Sequence, residues 1–159
     1  MTVNEMLILV RQRLGDMQKV TFSDEELIHC LNDAIDDICI DMANSYDPEL
    51  LKTVALTANG IPLPDDFIAW QGQFALLYNT DENNVTTISP IDSEWDGENA
   101  TLKYFAYKPH VTSLTDIIPF RTGTHCNRLM RMTIKEIKGG GSSDSEGTSQ
   151  SGGGQGTTQ

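Results

Sequence analysis

Phe22-Ser23-Asp24-Glu25-Glu26-Leu27 opens the stretch that decides the fold, FSDEELIHCLNDAIDDICIDMAN over residues 22–44. Ser23 offers an N-cap hydroxyl and Glu26 follows three residues later, so each side chain can bond an orphan amide of a first helical turn. Phe22 before the cap and Leu27 after it have the spacing of a hydrophobic staple. Leu27, Leu31, Ala34, Ile38 and Met42 then form one apolar stripe, widened by Cys30 and Ile35, while Asp33, Asp36, Asp37 and Asp41 fall mostly off it. That periodicity predicts an amphipathic helix over about 24–44.

The same grammar works outward. Upstream, Thr2 and Glu5 make a second capping-box pattern, and Val3, Met6, Leu7, Val10 and Leu14 recur at helical spacing, so a helix over about 3–15 is expected, ended by Gly15-Asp16. Downstream the period changes from helical to alternating. Thr53 to Thr57 alternates, Asn59-Gly60 is the favoured two-residue turn, and Ile61 to Pro64 should return as the second arm of a hairpin. Pro62 and Pro64 lack an N–H, so this return strand should be an edge or stop early. Phe67 to Tyr78 reads as a further strand, Asn79 to Asn99 as acidic and turn-rich, and Thr101 to Lys108 as a strand ended by Pro109. A last helix is expected over about 125–138. The fold class is α+β: a small bundle of two N-terminal helices and a C-terminal helix, with an antiparallel β insertion over about 53–108.

Beyond that helix the composition collapses. From Gly139 to Gln159 there is no aliphatic, aromatic or sulfur-containing residue, and eight of the chain's 13 glycines lie there. The folding unit is therefore residues 1–138, long enough for a real core, and residues 139–159 form a Gly/Ser-rich C-terminal arm. Such a chain has no apolar area to offset its ordering entropy, so any order in it must come from a surface outside the domain. Extended, its 21 residues reach at most about 70 Å.

The chain has 159 residues and a net charge of -12, with 23 acids against 11 bases. A protein that grips phosphates needs a surplus of Lys and Arg, so the simplest nucleic-acid reading is excluded. The charge is unevenly divided. Residues 1–120 hold 20 acids and six bases, whereas residues 121–138 hold five bases and one acid. Arg128, Arg131, Lys135 and Lys138 step by three, four and three, which stacks them on one helix face, with Arg121 just before. Cys126, Leu129, Met130, Thr133, Ile134 and Ile137 make the opposite, core-facing side. Such a stripe suits a solvated face near a helix C-terminus; it also suits contact with an acidic neighbour, which another copy of this chain would supply.

Chemistry finds little support. His29-Cys30 and His125-Cys126 suggest metal ligands, but adjacent helical residues point about 100° apart and do not converge on one ion, and no Cys-x-x-Cys occurs. Three cysteines without regular spacing make no disulfide framework. No glycine-rich loop opens a helix after a strand, and no carboxylate pair stands apart from the rest. Trp70, Trp95 and the tyrosines read as core and hairpin packing. No catalytic residue, cofactor or metal is expected. The first apolar run, Met6 to Val10, is too short for a secretory signal and meets Arg11 and Arg13, so a reduced, soluble protein made in the cytoplasm is expected, with no membrane contact.

The ordered parts resemble a known family. Phe22 to Leu27, then Leu31-Asn32-Asp33-Ala34, then Leu63-Pro64-Asp65-Asp66-Phe67, then Leu102 to Pro109, then Ile117-Ile118-Pro119 and a closing helix are similar to the head-to-tail connector (portal adaptor) proteins of tailed bacteriophages. The resemblance covers about residues 3–138. It implies a non-enzymatic virion protein of the neck, made in the host cytoplasm. Copies would assemble as a ring, commonly of twelve, below the portal protein. The ring would extend the channel for passing double-stranded DNA without sequence-specific binding, and give tail or nozzle proteins a platform. It carries over no residue-level motif. From the charge pattern, portal or inter-subunit contact is expected at Arg121, Arg128, Arg131, Lys135 and Lys138 and at Gly139, Gly141, Gly152 and Gly154 of the arm, which could add a strand to the portal or a neighbouring copy. Asp33, Asp36, Asp37 and Asp41 form the expected acidic face. The alternatives are another neck component, such as a stopper or tail-completion protein, and an acidic DNA-mimicking module.

Overall fold

A computed structural model of the chain describes residues 1–91 and 100–139. Two helices lead: α1, Val3–Leu14, and α2, Asp24–Asn44. Both capping boxes form, Thr2 with Glu5 and Ser23 with Glu26, each hydroxyl accepting the amide three residues on while the glutamate accepts the cap's own amide. Gly15 closes α1 in the left-handed region at φ 72°. A 3-10 turn, Pro48–Leu50, leads, among the described residues, into six strands: β1 Leu51–Leu56, β2 Ile61–Pro62, β3 Phe67–Trp70, β4 Leu76–Thr80, β5 Thr86–Pro90 and β6 Ala100–Ala106. Helix α3, Gly123–Gly139, returns to the bundle.

The strands form two antiparallel sheets, ordered β1-β6-β3 and β2-β5-β4. In the first, β6 is central and pairs Leu51 with Phe105 through Leu56 with Ala100. The expected hairpin of residues 53–64 does not form, because β1 and β2 go to different sheets. The turn is Thr57–Gly60, with Gly60 N–H donating to the Thr57 carbonyl at 3.0 Å. Ala58 and Asn59, rather than Asn59 and Gly60, therefore sit at its centre, and the chain turns a corner instead of folding back. Gly60, at φ 87°, lies so close to β5 that a Cβ there would stand 2.8 Å from the Ile88 carbonyl oxygen. The expectation for Pro62 holds: β2 is a two-residue edge strand.

Residues 67–78 likewise make two strands, not one. Gly72 at φ 109° breaks the run, β3 joins β6, and β4 starts the second sheet. The segment read as turns conceals β5, which begins after an Asp81 carboxylate caps the amides of Asn83 and Val85. Trp95, in residues 92–99, lies outside the described residues.

The main core joins Met6, Leu7 and Val10 of α1 to Leu27, Leu31, Ile35, Ile38 and Met42 of α2, Phe105 of β6 and Leu129 of α3. A smaller core between the sheets is built on Leu56, Ile88 and Leu102, and the Trp70 indole N–H donates to the Tyr78 hydroxyl at 2.6 Å, joining β3 to β4. Trp70 also meets Phe67, Phe74 and Tyr104 in ring contacts. The chain between β6 and α3 straps the bundle together. Asn32 holds Val111 through both its amide atoms, and Val3 N–H donates to the Asp116 carbonyl. The first sheet packs on α2 through β3 and β6, and α3 comes back to lie on both α1 and α2.

Candidate functional site

Helix α3 is laid down by its apolar side. Leu129, Met130 and Thr133 are buried, and Thr133 satisfies its hydroxyl by donating to the Leu129 carbonyl at 2.8 Å. Cys126, Ile134 and Ile137 pack around them. The basic stripe consequently faces outward, but it divides along its edges. Arg128, on the side toward α2, pairs with Asp41 of the same chain. Arg131 and Lys138, on the side toward α1, line a groove with Ile134 and with Arg13, at the end of α1. Arg13, Arg131, Lys135 and Lys138 form no ion pair with the described residues. Arg121 is exposed just before α3, its backbone N–H donating to a Glu49 carboxylate oxygen at 2.7 Å.

Asp33, Asp36, Asp37 and Asp41 of α2 take different neighbours. Asp36 holds His110, with both carboxylate oxygens 2.9 Å from Nε2. Asp41 holds Arg128, and exposed Asp33 lies 3.7 Å from His29. Asp37 neighbours Glu136 of α3, and the interaction with Asp37, partial burial and the charges of Asp37 and Asp33 push the Glu136 pKa upward. Gly139 is the last residue of α3; Gly141, Gly152 and Gly154 lie outside the described residues.

Arg13 is the residue that sequence reasoning missed. It sits on a different helix from the stripe, and only the packing of α3 against α1 brings it to Arg131. A second missed group is Asp47, Glu49 and His125. His125 Nε2 lies 3.1 Å from Asp47 Oδ2 and 3.5 Å from Glu49 Oε2, and the three could reach one ion. Their other oxygens are already committed: Asp47 Oδ1 accepts the Glu49 amide and Glu49 Oε1 accepts the Arg121 amide. Lys108 Nζ stands 3.7 Å from Glu49, supplying a local cation. The arrangement ties the first turn of α3 to the 3-10 turn after α2.

The two Cys–His neighbours do not converge. The Cys30 and Cys126 thiols are pushed up in pKa, first by burial. Such thiols are poor nucleophiles. Cys39 is buried and accepts the Lys108 amide at 3.3 Å. In the polar cleft between α2 and the first sheet, burial raises Asp66, but bonds from Lys52 and Tyr104 outweigh it and hold the carboxyl below its usual range. Tyr104, buried and bonded to Asp66 at 2.9 Å, is pushed up to about 12. Both groups stay in their resting protonation states near neutrality, which suits structure more than proton transfer.

The model of the SU10 adaptor protein family matches residues 1–121, from α1 to the threshold of α3. The chain belongs to that family of phage head-to-tail adaptors. No curated protein matches it. Among the described residues, no helix is long and apolar enough to cross a membrane.

Proposed function

We propose that the chain is a non-enzymatic head-to-tail adaptor subunit of the virion neck. Copies form a ring below the portal, extend the DNA channel and give tail components their platform. The family match across both N-terminal helices and the whole β insertion is the observation that supports this most. The charge distribution agrees with it. A channel that passes a polyanion benefits from a wall that repels phosphate, and residues 1–120 with 20 acids and six bases supply one.

Portal contact falls, on this reading, to Arg121 and to the arm that begins at Gly139, which leaves the helical bundle free to make the ring. Arg121 is exposed at the entry to α3. The arm takes its order from the portal or from a neighbouring copy, through backbone hydrogen bonds.

Co-sedimentation with the portal tests this. The full chain is expected to travel with the portal at a fixed ratio, unaffected by added duplex DNA. A chain ending at Lys138 is expected to keep its melting temperature and lose most of that binding. Full-strength binding by the shortened chain would end the role of the arm, and a full chain that ignores the portal but competes with DNA for basic proteins would favour the DNA-mimic reading.

A further inference from the structure

Five residues apart on α3, Arg131 and Glu136 point about 140° from each other around the helix, on opposite flanks of its buried side. Each flank meets a different helix. On the α1 side, Arg131, Lys138 and Arg13 gather around Ile134 and Met130. These three cations have no ion pair with the described residues. On the α2 side, Glu136 lines a groove with Phe22, Glu26, Leu27, His29 and Ile137, and the charges of Asp37 and Asp33 act on its carboxyl. Like charges placed together this way destabilise a helix pair, and Lys135 offsets only part of the excess. One bundle therefore presents three unpaired cations over an apolar floor on one flank, and three crowded carboxyls beside a partly apolar groove on the other.

We propose that these flanks are the two halves of a single contact between neighbouring copies, the α1–α3 flank of one copy receiving the α2–α3 flank of the next. The idea rests on the ring reading above and assigns its interface. A ring needs a heterologous contact, in which two different patches of one subunit meet across a rotation. Two flanks of opposite charge on opposite sides of one helix provide that pair. At a net charge of -12, copies repel one another at a distance, so association requires local complementarity of this kind. Arg128 is not part of the contact, because Asp41 already holds it within the chain. Arg13 is part of it. The carboxyls crowded around Glu136 exchange a like-charged neighbour for a guanidinium or ammonium group when the next copy arrives, which gives the contact its direction around the ring.

The test uses the full chain in two versions, R13E/R131E/K138E and D33K/D37K/E136K, assembled with the portal and read by native mass spectrometry. Each version alone presents like charges at every contact and is expected to lose at least about tenfold in assembled ring. An equimolar mixture restores opposite charges at every contact in an alternating ring, and assembly should return. Should a triple variant melt early, the pair R131E and E136K makes the same test in milder form. Wild-type-like assembly by either version alone, or a mixture of folded variants that stays apart, overturns the contact. A basic-flank variant that keeps its ring but releases the portal also overturns it, and leaves the adaptor reading standing. A wild-type chain that forms no ring with or without the portal overturns both.

Discussion

Arg11 is a charged side chain only 2% exposed, and it holds the start of the bundle together. Its guanidinium donates to Asp16, to the Phe22 carbonyl and to Asp24, at 2.8–2.9 Å. Asp16 in turn accepts the amides of Val20, Thr21 and Phe22. The loop between α1 and α2 is thus folded around one guanidinium paired with two carboxylates, and the cap of α2 is placed by it. Removing one partner of a buried pair leaves the other uncompensated, so Arg11→Met should cost about 3 kcal/mol, seen as a lower urea midpoint. Asp116 organises the other end of α1. Amides of Thr112 and Ser113 and the Ser113 hydroxyl hold its pKa down, from the usual 3.8 to about 2. A carboxyl depressed in the folded state contributes stability that is present above its unfolded value and lost as pH falls through the folded one. That contribution should therefore fade between about pH 4 and pH 2, and Asp116→Asn should flatten this part of a stability-versus-pH curve. An unchanged acid limb in the variant would show that the carboxylate adds nothing.

At the level of elements, local signals and long-range ones separate cleanly. Both capping boxes and the stripe of α2 were legible because a helix closes its hydrogen bonds within four residues, so Ser23 and Glu26 carry their meaning on their own. Ser23→Ala should lower stability by about 1 kcal/mol, measured by thermal melting. The strands were legible as strands only in part, and their partners were not. Asn59-Gly60 suggests a hairpin to any local reading, yet β1 finds β6 across the insertion and β2 finds β5, because pairing is settled by which side chains share a core. Leu56 and Ile88 share one, from different sheets. Strand β5, Thr86–Pro90, was not legible because it follows Asp81-Glu82-Asn83-Asn84, whose turn chemistry dominates the window. Gly60→Val should test the corner. A Cβ would meet the Ile88 carbonyl at 2.8 Å and the φ is unfavourable for a branched side chain. The expected loss is about 2 kcal/mol, and amide exchange should rise in β2 and β5 ahead of the helices. Uniform loss of protection across the bundle would contradict this placement. The basic stripe of α3 was legible as a face, whereas its split between Asp41 and Arg13 was not, since that depends on which helix lies on each side.

For the whole molecule, the charge of -12 resolves into an acidic body, a basic edge shared by α1 and α3, and an acidic edge shared by α2 and α3. On the proposed contact, overall repulsion opposes association and the two local flanks give copies one way to meet. Exposed ion pairs between copies weaken with salt, since charges are screened within about 10 Å at 0.1 M. Ring formation without the portal should therefore decline as salt is raised from 50 to 500 mM, conditions chosen to span that range. A ring indifferent to salt would point to an apolar interface instead. The central claim is that this member of the adaptor family closes into a ring on the portal. Electron microscopy of the purified chain mixed with its portal tests it most directly. The expected image is a second, coaxial ring of density beneath the portal, a continuous circle of subunits. A portal that keeps its own outline while the chain remains monomeric in the background would contradict it.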